Sequence, residues 1–248
     1  MNILINKPII HNNMYRRSSS LISIPKGKIY YVLSPEAIML HNILPEAVVR
    51  AMYFHNIPPK NLSISSLFNR NVPIHQHIQN ISKHLNFDDQ QQQTLKNQIN
   101  KTVNVLSQDP DYTELHPGFL KIIPNLKYHG VSNFILSNPF AETKTLKNIY
   151  SSFVSQGFVC DLITDNDEFE IDTIVEKFSV TQNDIIMKVC NAPEDIKKLH
   201  GKKITTIGYT ESPENKRILY ENGAHYVVGN YYLLPNILIT EKNNLYKQ

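Results

Sequence analysis

Apolar positions fall into two regimes along the chain. Lys28–Leu33 is a short continuous run of β-branched and aromatic residues, stopped by Ser34-Pro35, and it predicts a buried strand. From Pro45 to about Leu106 strand signals are missing. Val48, Val49, Met52 and Tyr53 recur at helical spacing within Pro45–His55. His75–Leu85 and Gln90–Leu106 also predict helices, set apart by Pro58-Pro59 and by the break from Asn86 to Asp89. The Gln90–Gln93 run reads as a solvated helix face. From Pro117 onwards the pattern alternates. Helices over Phe119–His129, Thr143–Ser155, Ile171–Phe178, Pro193–His200 and Pro213–Asn222 lead in turn into strands. Those strands are Val131–Leu136, Phe158–Ile163, Asp184–Cys190, Lys203–Gly208 and His225–Val228, with a last helical piece near Leu233–Glu241.

Strands and helices that alternate through short loops predict a parallel sheet covered on both faces. Tyr30–Leu33, Val131–Leu136 and Ile185–Cys190 should be its interior strands, because their apolar runs are continuous. One strand followed by an all-helical block predicts a helical insert after the first strand. The expected organisation is a leader over 1–27, an α/β core over 28–44 and 107–248, and a helical cap over 45–106.

Composition sharpens this picture at the N-terminus. The chain of 248 residues is 41% hydrophobic, enough for a sizeable core with an inserted domain, and carries a formal charge of +3. That charge is uneven. Residues 1–28 hold Lys7, Arg16, Arg17, Lys26 and Lys28, and the first acid is Glu36. The remaining 20 basic residues face 22 acids, a net of −2, which argues against broad nucleic-acid binding. An acid-free leader with Arg16-Arg17, Ser18-Ser19-Ser20 and scattered isoleucines has the make-up of a mitochondrial presequence. No run of about 20 apolar residues exists to cross a membrane. Cys160 and Cys190 lie in apolar runs and read as buried strand thiols rather than a disulfide framework. His75-Gln76-His77 lacks a third ligand for a metal, and no Gly-rich phosphate loop is present.

Three segments, in order, resemble phosphonoacetaldehyde hydrolases of the haloacid-dehalogenase (HAD) superfamily. They are Phe134-Ile135-Leu136-Ser137-Asn138-Pro139-Phe140, the run from Ile186 to Asp195 through Lys188, and Glu221-Asn222-Gly223-Ala224-His225. Phe54-His55 and His77 match in the cap block. The resemblance implies a HAD-like, Rossmann-like doubly wound parallel sheet with an all-helical cap. It also implies a nucleophilic Asp at the end of the first strand, a magnesium-holding Asp after the fourth, a cap lysine that forms an imine, and a strand-end Ser that binds phosphate.

Residue by residue, the matching positions depart from that set. Leu33 or Ser34, depending on a one-residue shift, stands where the nucleophilic Asp is implied, and the first aspartate anywhere is Asp88. Asn191 takes the place of the magnesium-holding Asp, although Asp195 matches the second Asp of that motif. Ile74 stands at the imine lysine, and a side chain without an amine forms no imine. Lys177 reads as a helix-surface charge, Glu36 as a solvent-facing loop acid, and Ser137 as a cap for the next helix.

These readings lead to an expectation of no catalytic, cofactor-binding or metal-binding residues and no cofactor. The chain would be a non-catalytic HAD-like accessory subunit, mitochondrial, in the matrix or on the matrix side of the inner membrane. Its partners would be protein subunits of a respiratory complex, the ATP synthase or the mitochondrial ribosome. The alternatives are a hydrolase of altered chemistry that uses Glu36, Asp195 and Ser137 on a phosphonate or phosphate ester, and a small-molecule-binding module.

Overall fold

The computed structural model describes residues 27–41, 43–56, 74–138, 142–164 and 170–245. Residues 1–26 of the leader and the 57–73 part of the cap block, with Val72 and Pro73, therefore lie outside the described residues.

Six strands form one parallel sheet: β1 (Ile29–Leu33), β2 (Val131–Ser137), β3 (Asp161–Ile163), β4 (Ile185–Cys190), β5 (Thr205–Tyr209) and β6 (Tyr226–Val228), in the order β3-β2-β1-β4-β5-β6. The three strands expected inside are inside. Alternation in β1 splits the core between two faces. Ile29, Tyr31 and Leu33 join one apolar cluster with Phe119 and Leu126 of α4 (Pro117–Tyr128), Leu146 and Phe153 of α5 (Thr143–Ser155), and Leu234 and Leu238 of α9 (Leu234–Leu245). Tyr30 and Val32 face the other way, against Ile171 and Ile174 of α6 (Glu170–Phe178) and Leu199 of α7 (Pro193–Leu199). Leu219 of α8 (Pro213–Glu221) covers Cys190 on that same side. Helices on both faces make the sheet doubly wound.

Between β1 and α4 the described residues form helices: α1 (Ile43–Phe54), α2 (Ile74–His84) and α3 (Asp89–Leu106). The chain leaves and re-enters the sheet layer at one stem. Leu40 N–H donates to the Glu114 carbonyl at 2.8 Å and His116 N–H to the Ile38 carbonyl at 2.8 Å, around an antiparallel Met39–Leu115 bridge. Ala47, Val48 and Met52 of α1 and Leu95 and Ile99 of α3 are buried and continuous with the main cluster. Asp88 caps α3 through a reciprocal pair with Gln91, which accounts for the break seen at 86–89.

Two local expectations need correction. The third strand starts at Asp161 and not at Phe158, because pairing with β2 begins only at Ile135–Asp161. Phe158 instead closes an aromatic cluster with Phe119, Phe134 and Phe153, while Val159 is exposed. Cys160 accordingly precedes the strand and is only half-buried, whereas Cys190 is buried at the end of β4. Burial pushes the Cys160 thiol up to about 12, and Asp161 adds to the effect. Among the described residues no helix is long and apolar enough to cross a membrane.

Candidate functional site

The strand order reverses between β1 and β4, and ligands of open α/β sheets bind outside the carboxyl ends of the strands at such a reversal. A cavity of about 510 Å³ lies there, lined among others by Glu36, His116, Asn191, Tyr209, Thr210 and Ser212.

Glu36 reaches this cavity because Ser34-Pro35 stops β1 and folds Pro35–Ala37 into a single 3₁₀ turn. Both neighbouring strand ends tether the turn. Asn138, after β2, donates its Nδ2 to Glu36 Oε1 at 2.7 Å, and Asn191, after β4, donates its Nδ2 to the Glu36 carbonyl at 3.1 Å. Tyr231, stacked on Tyr209 at 4.2 Å, donates its hydroxyl to the Ala37 carbonyl at 2.8 Å and holds the turn from the far side. Burial pushes the Glu36 carboxyl up to about 7, and the nearby Asp195 charge adds to this. Glu36 is therefore not the solvent-facing loop acid expected from the sequence. It is a half-buried cavity acid poised near neutrality.

A second group lies within the sheet layer. Ser34 and Asp195 are buried, and Ser34 Oγ donates to Asp195 Oδ2 at 3.0 Å. Asp195 sits in the first turn of α7, the place that Pro193 at the helix start fixes for it. Burial pushes its carboxyl above the usual range despite the pull of Lys188. Lys188, 0% exposed in the middle of β4, places Nζ 2.7 Å from each oxygen of Glu170, itself buried at the start of α6. Burial works against the Lys188 charge, but Glu170 and then Asp195 hold the ammonium's pKa above its usual value. His116 lines the cavity, and its Nδ1 accepts from Gly118 N–H at 3.0 Å, which leaves Nε2 as the protonated nitrogen.

The structure thus brings together Ser34, Glu36, Asn191 and Asp195. Leu33 points into the main core, while Ser34 reaches Asp195. Ser137 is buried with an unpartnered Oγ. It does not cap the next helix, whose N-cap is Glu142. Lys177 is a surface charge, as expected, over the Phe178 ring and donating to the Leu162 carbonyl. Side chains of Ile74, His75 and His77 lie outside the described residues, although α2 begins at Ile74. Sequence reasoning missed the Lys188–Glu170 pair. Its signal was available: a lone lysine in the apolar strand Ile185–Cys190 must find a buried partner.

A magnesium ion takes near-octahedral oxygen ligation from one or two carboxylates, waters and substrate phosphate. Among the described residues no group of three or more His, Cys, Asp and Glu is placed to hold a metal ion. Asn191 presents an N–H to the Glu36 carbonyl, so an amide bridge joins the two strand ends.

No family model and no curated protein matches the chain. Solved structures do. It is similar to a phosphonoacetaldehyde hydrolase-like protein from Oleispira antarctica, with a TM-score of 0.65, 12% identity and coverage of 89% of this chain and 94% of that one. A hydrolase of the haloacid dehalogenase-like family from Streptococcus pneumoniae matches with a TM-score of 0.63 and 9% identity, over 87% and 98% of the two chains. A predicted phosphatase from Clostridium acetobutylicum matches with a TM-score of 0.60 and 16% identity, over 86% and 100%. The chain has the HAD-like fold. These neighbours are hydrolases and phosphatases by name, and the expectation of a non-catalytic chain is corrected on that finding. The fold gathers carboxylates that the position-by-position comparison does not reveal, Glu36 from the turn after β1 and Asp195 from the helix after β4.

Proposed function

We propose that this HAD-fold chain is a hydrolase of phosphate esters whose general acid–base is Glu36. The observation that carries the reading is a carboxyl held near pH 7 at a cavity on the sheet's switch point. A general acid works best with a pKa near the operating pH. Protonated Glu36 can deliver its proton to a departing oxygen, and it also presents no negative charge to an anionic ester. His116 adds a donor at the cavity wall, and Asn138 keeps the carboxyl aimed. Helices α1, α2 and α3 are proposed as part of a cap over this site, since the stem residues Met39, Leu40 and His116 line the cavity.

The test is phosphate release from a panel of phosphate monoesters by wild type and Glu36→Gln, across pH and with and without magnesium. Wild type should turn over with a limb that falls as pH rises through about 7. Glu36→Gln should lose about 10²- to 10⁴-fold and the limb with it. Equal rates for the two proteins would sink the reading.

The composition of residues 1–26 supports a mitochondrial matrix location as part of the same proposal. Full-length chain should be imported by isolated mitochondria and a chain beginning at residue 27 should not. Equal import of the two would remove the location. The site geometry supports a hydrolase in preference to an accessory place in a mitochondrial assembly.

A further inference from the structure

We propose that the departing alcohol of the ester carries an ammonium group, which Glu211 and the Tyr209 ring receive at the β5 side of the cavity; this rests on the hydrolase reading above. β5 ends at Tyr209, and the loop Thr210–Ser212 carries the chain into α8. That loop lines the same cavity as Glu36. The Tyr209 ring stacks on Tyr231 with 4.2 Å between centroids and 11° between planes, which leaves its opposite face and hydroxyl edge for the cavity. Its hydroxyl donates to Glu211 Oε1 at 3.1 Å and aims the carboxylate beside the ring. Tyr231 is buried and bonded to the Ala37 carbonyl, so the ring pair is anchored in the core.

The charge of the wall selects the ligand. Among the described residues the lining holds two acids, Glu36 and Glu211, and no lysine or arginine. Lys216, in α8, lies beside Gly229 and does not line the cavity. A carboxylate with an aromatic ring beside it attracts an organic cation, and Met39 and Leu40 offer apolar contact to its carbon atoms. The rival occupant is an anion at the start of α8, because Ser212 and Asn215 also line the cavity. That helix start is already served. Ser212 Oγ accepts from Asn215 N–H at 3.4 Å, Ser212 N–H donates to Thr210 Oγ1 at 3.2 Å, and Glu211 and Glu214 bring negative charge to it. A further anion would meet that charge with no cation in the lining to offset it.

The substrate class is therefore a phosphorylated amino alcohol. Water forms a bond to phosphorus as the bond from phosphorus to the ester oxygen breaks. The departing oxygen takes the proton of Glu36, the water returns one to the carboxylate, and inorganic phosphate and the free amino alcohol leave. The ammonium keeps its charge throughout. Glu211 thus holds substrate and transition state alike, and its contribution belongs to KM rather than to kcat.

The test compares phosphoethanolamine with ethyl phosphate, phosphoglycolate and a hexose phosphate on the full chain. Phosphoethanolamine should exceed ethyl phosphate about 3- to 30-fold in kcat/KM, with phosphoglycolate below both. Glu211→Gln should bring the ammonium and alkyl esters together through a higher KM for phosphoethanolamine. A ratio of two substrates on one protein does not depend on the folded fraction, so a partly folded variant still reports. A wild type that shows the Glu36-dependent pH limb but treats the ammonium and alkyl esters alike overturns the ammonium site and leaves the hydrolase reading standing. Preference for phosphoglycolate or the hexose phosphate does the same, as does a Glu211→Gln chain that keeps the wild-type preference. A wild type inert toward every ester overturns the hydrolase reading. Calorimetric titration with phosphocholine then decides the site: binding that Glu211→Gln loses upholds it, and binding that the variant keeps, or no binding, overturns it.

Discussion

Replacing Lys188 by Met is expected to remove about 3–5 kcal/mol of stability, the cost of breaking a buried ion pair by deleting one partner. A domain of this kind has about 5–15 kcal/mol in total, so the variant should be largely unfolded at modest urea. The reason is what remains behind. Glu170 is 5% exposed and loses Lys188, whose Nζ sits 2.7 Å from both of its oxygens. Asp195 loses the positive charge that opposes its desolvation. Removing both ends with Lys188→Met and Glu170→Leu should recover most of the loss, because well-packed apolar groups replace a buried pair at little cost. Urea denaturation of the three proteins measures this. A single variant within 1 kcal/mol of wild type, or a double variant no better than the single, would show that the pair is not held as the structure places it.

That pair also marks the boundary of what the sequence could reveal. The fold was legible because parallel strands buried on two faces need continuous apolar runs, and Tyr30–Leu33, Val131–Leu136 and Ile185–Cys190 are such runs. Helix ends were legible where a local rule sets them, as at Ser212-Pro213 and Pro193. Phe158 was misassigned because an aromatic residue after Gly157 looks like a strand start, whereas the long-range cluster of Phe119, Phe134 and Phe153 decides its place.

The site was legible only in part, for a different reason. Glu36, Ser137 and Asp195 could be named from their positions, but their environments depend on residues more than 100 positions away in the chain. Asn138 reaches Glu36 across 102 positions and Ser34 reaches Asp195 across 161. Burial, hydrogen bonding and neighbouring charge set a carboxyl's pKa, and none of these is local to Pro35-Glu36-Ala37. A loop acid and a cavity acid look alike in one dimension.

The same carboxyl should leave a signature in stability that needs no substrate. At pH 8 Glu36→Gln is expected to be more stable than wild type by about 2 kcal/mol, and below about pH 4 the two should be equal. Glu36 moves from an ordinary 4.5 to about 7 on folding, with burial the largest cause. Between those values the folded chain binds the proton that the unfolded chain has released, so wild-type stability falls as pH rises from 4.5 to 7 and then levels. Full conversion of that displacement would give about 3 kcal/mol, and partial exposure of the side chain reduces it. Glutamine has no proton to lose and can still accept from Asn138, so its curve lacks the decline. Asp195, raised by burial, and Asp184, where burial is the largest single effect but the hydrogen bonds from Thr181 and Lys28 together lower the carboxyl, titrate in both proteins and largely cancel in the difference. A carboxyl that costs stability at working pH, in a turn already tied by Asn191 and Tyr231, is what the proposed general-acid role of Glu36 requires. Urea midpoints measured from pH 4 to pH 9 decide the matter: parallel curves for the two proteins would mean that Glu36 ionises as an ordinary surface acid, and the general-acid role would fall with its pKa.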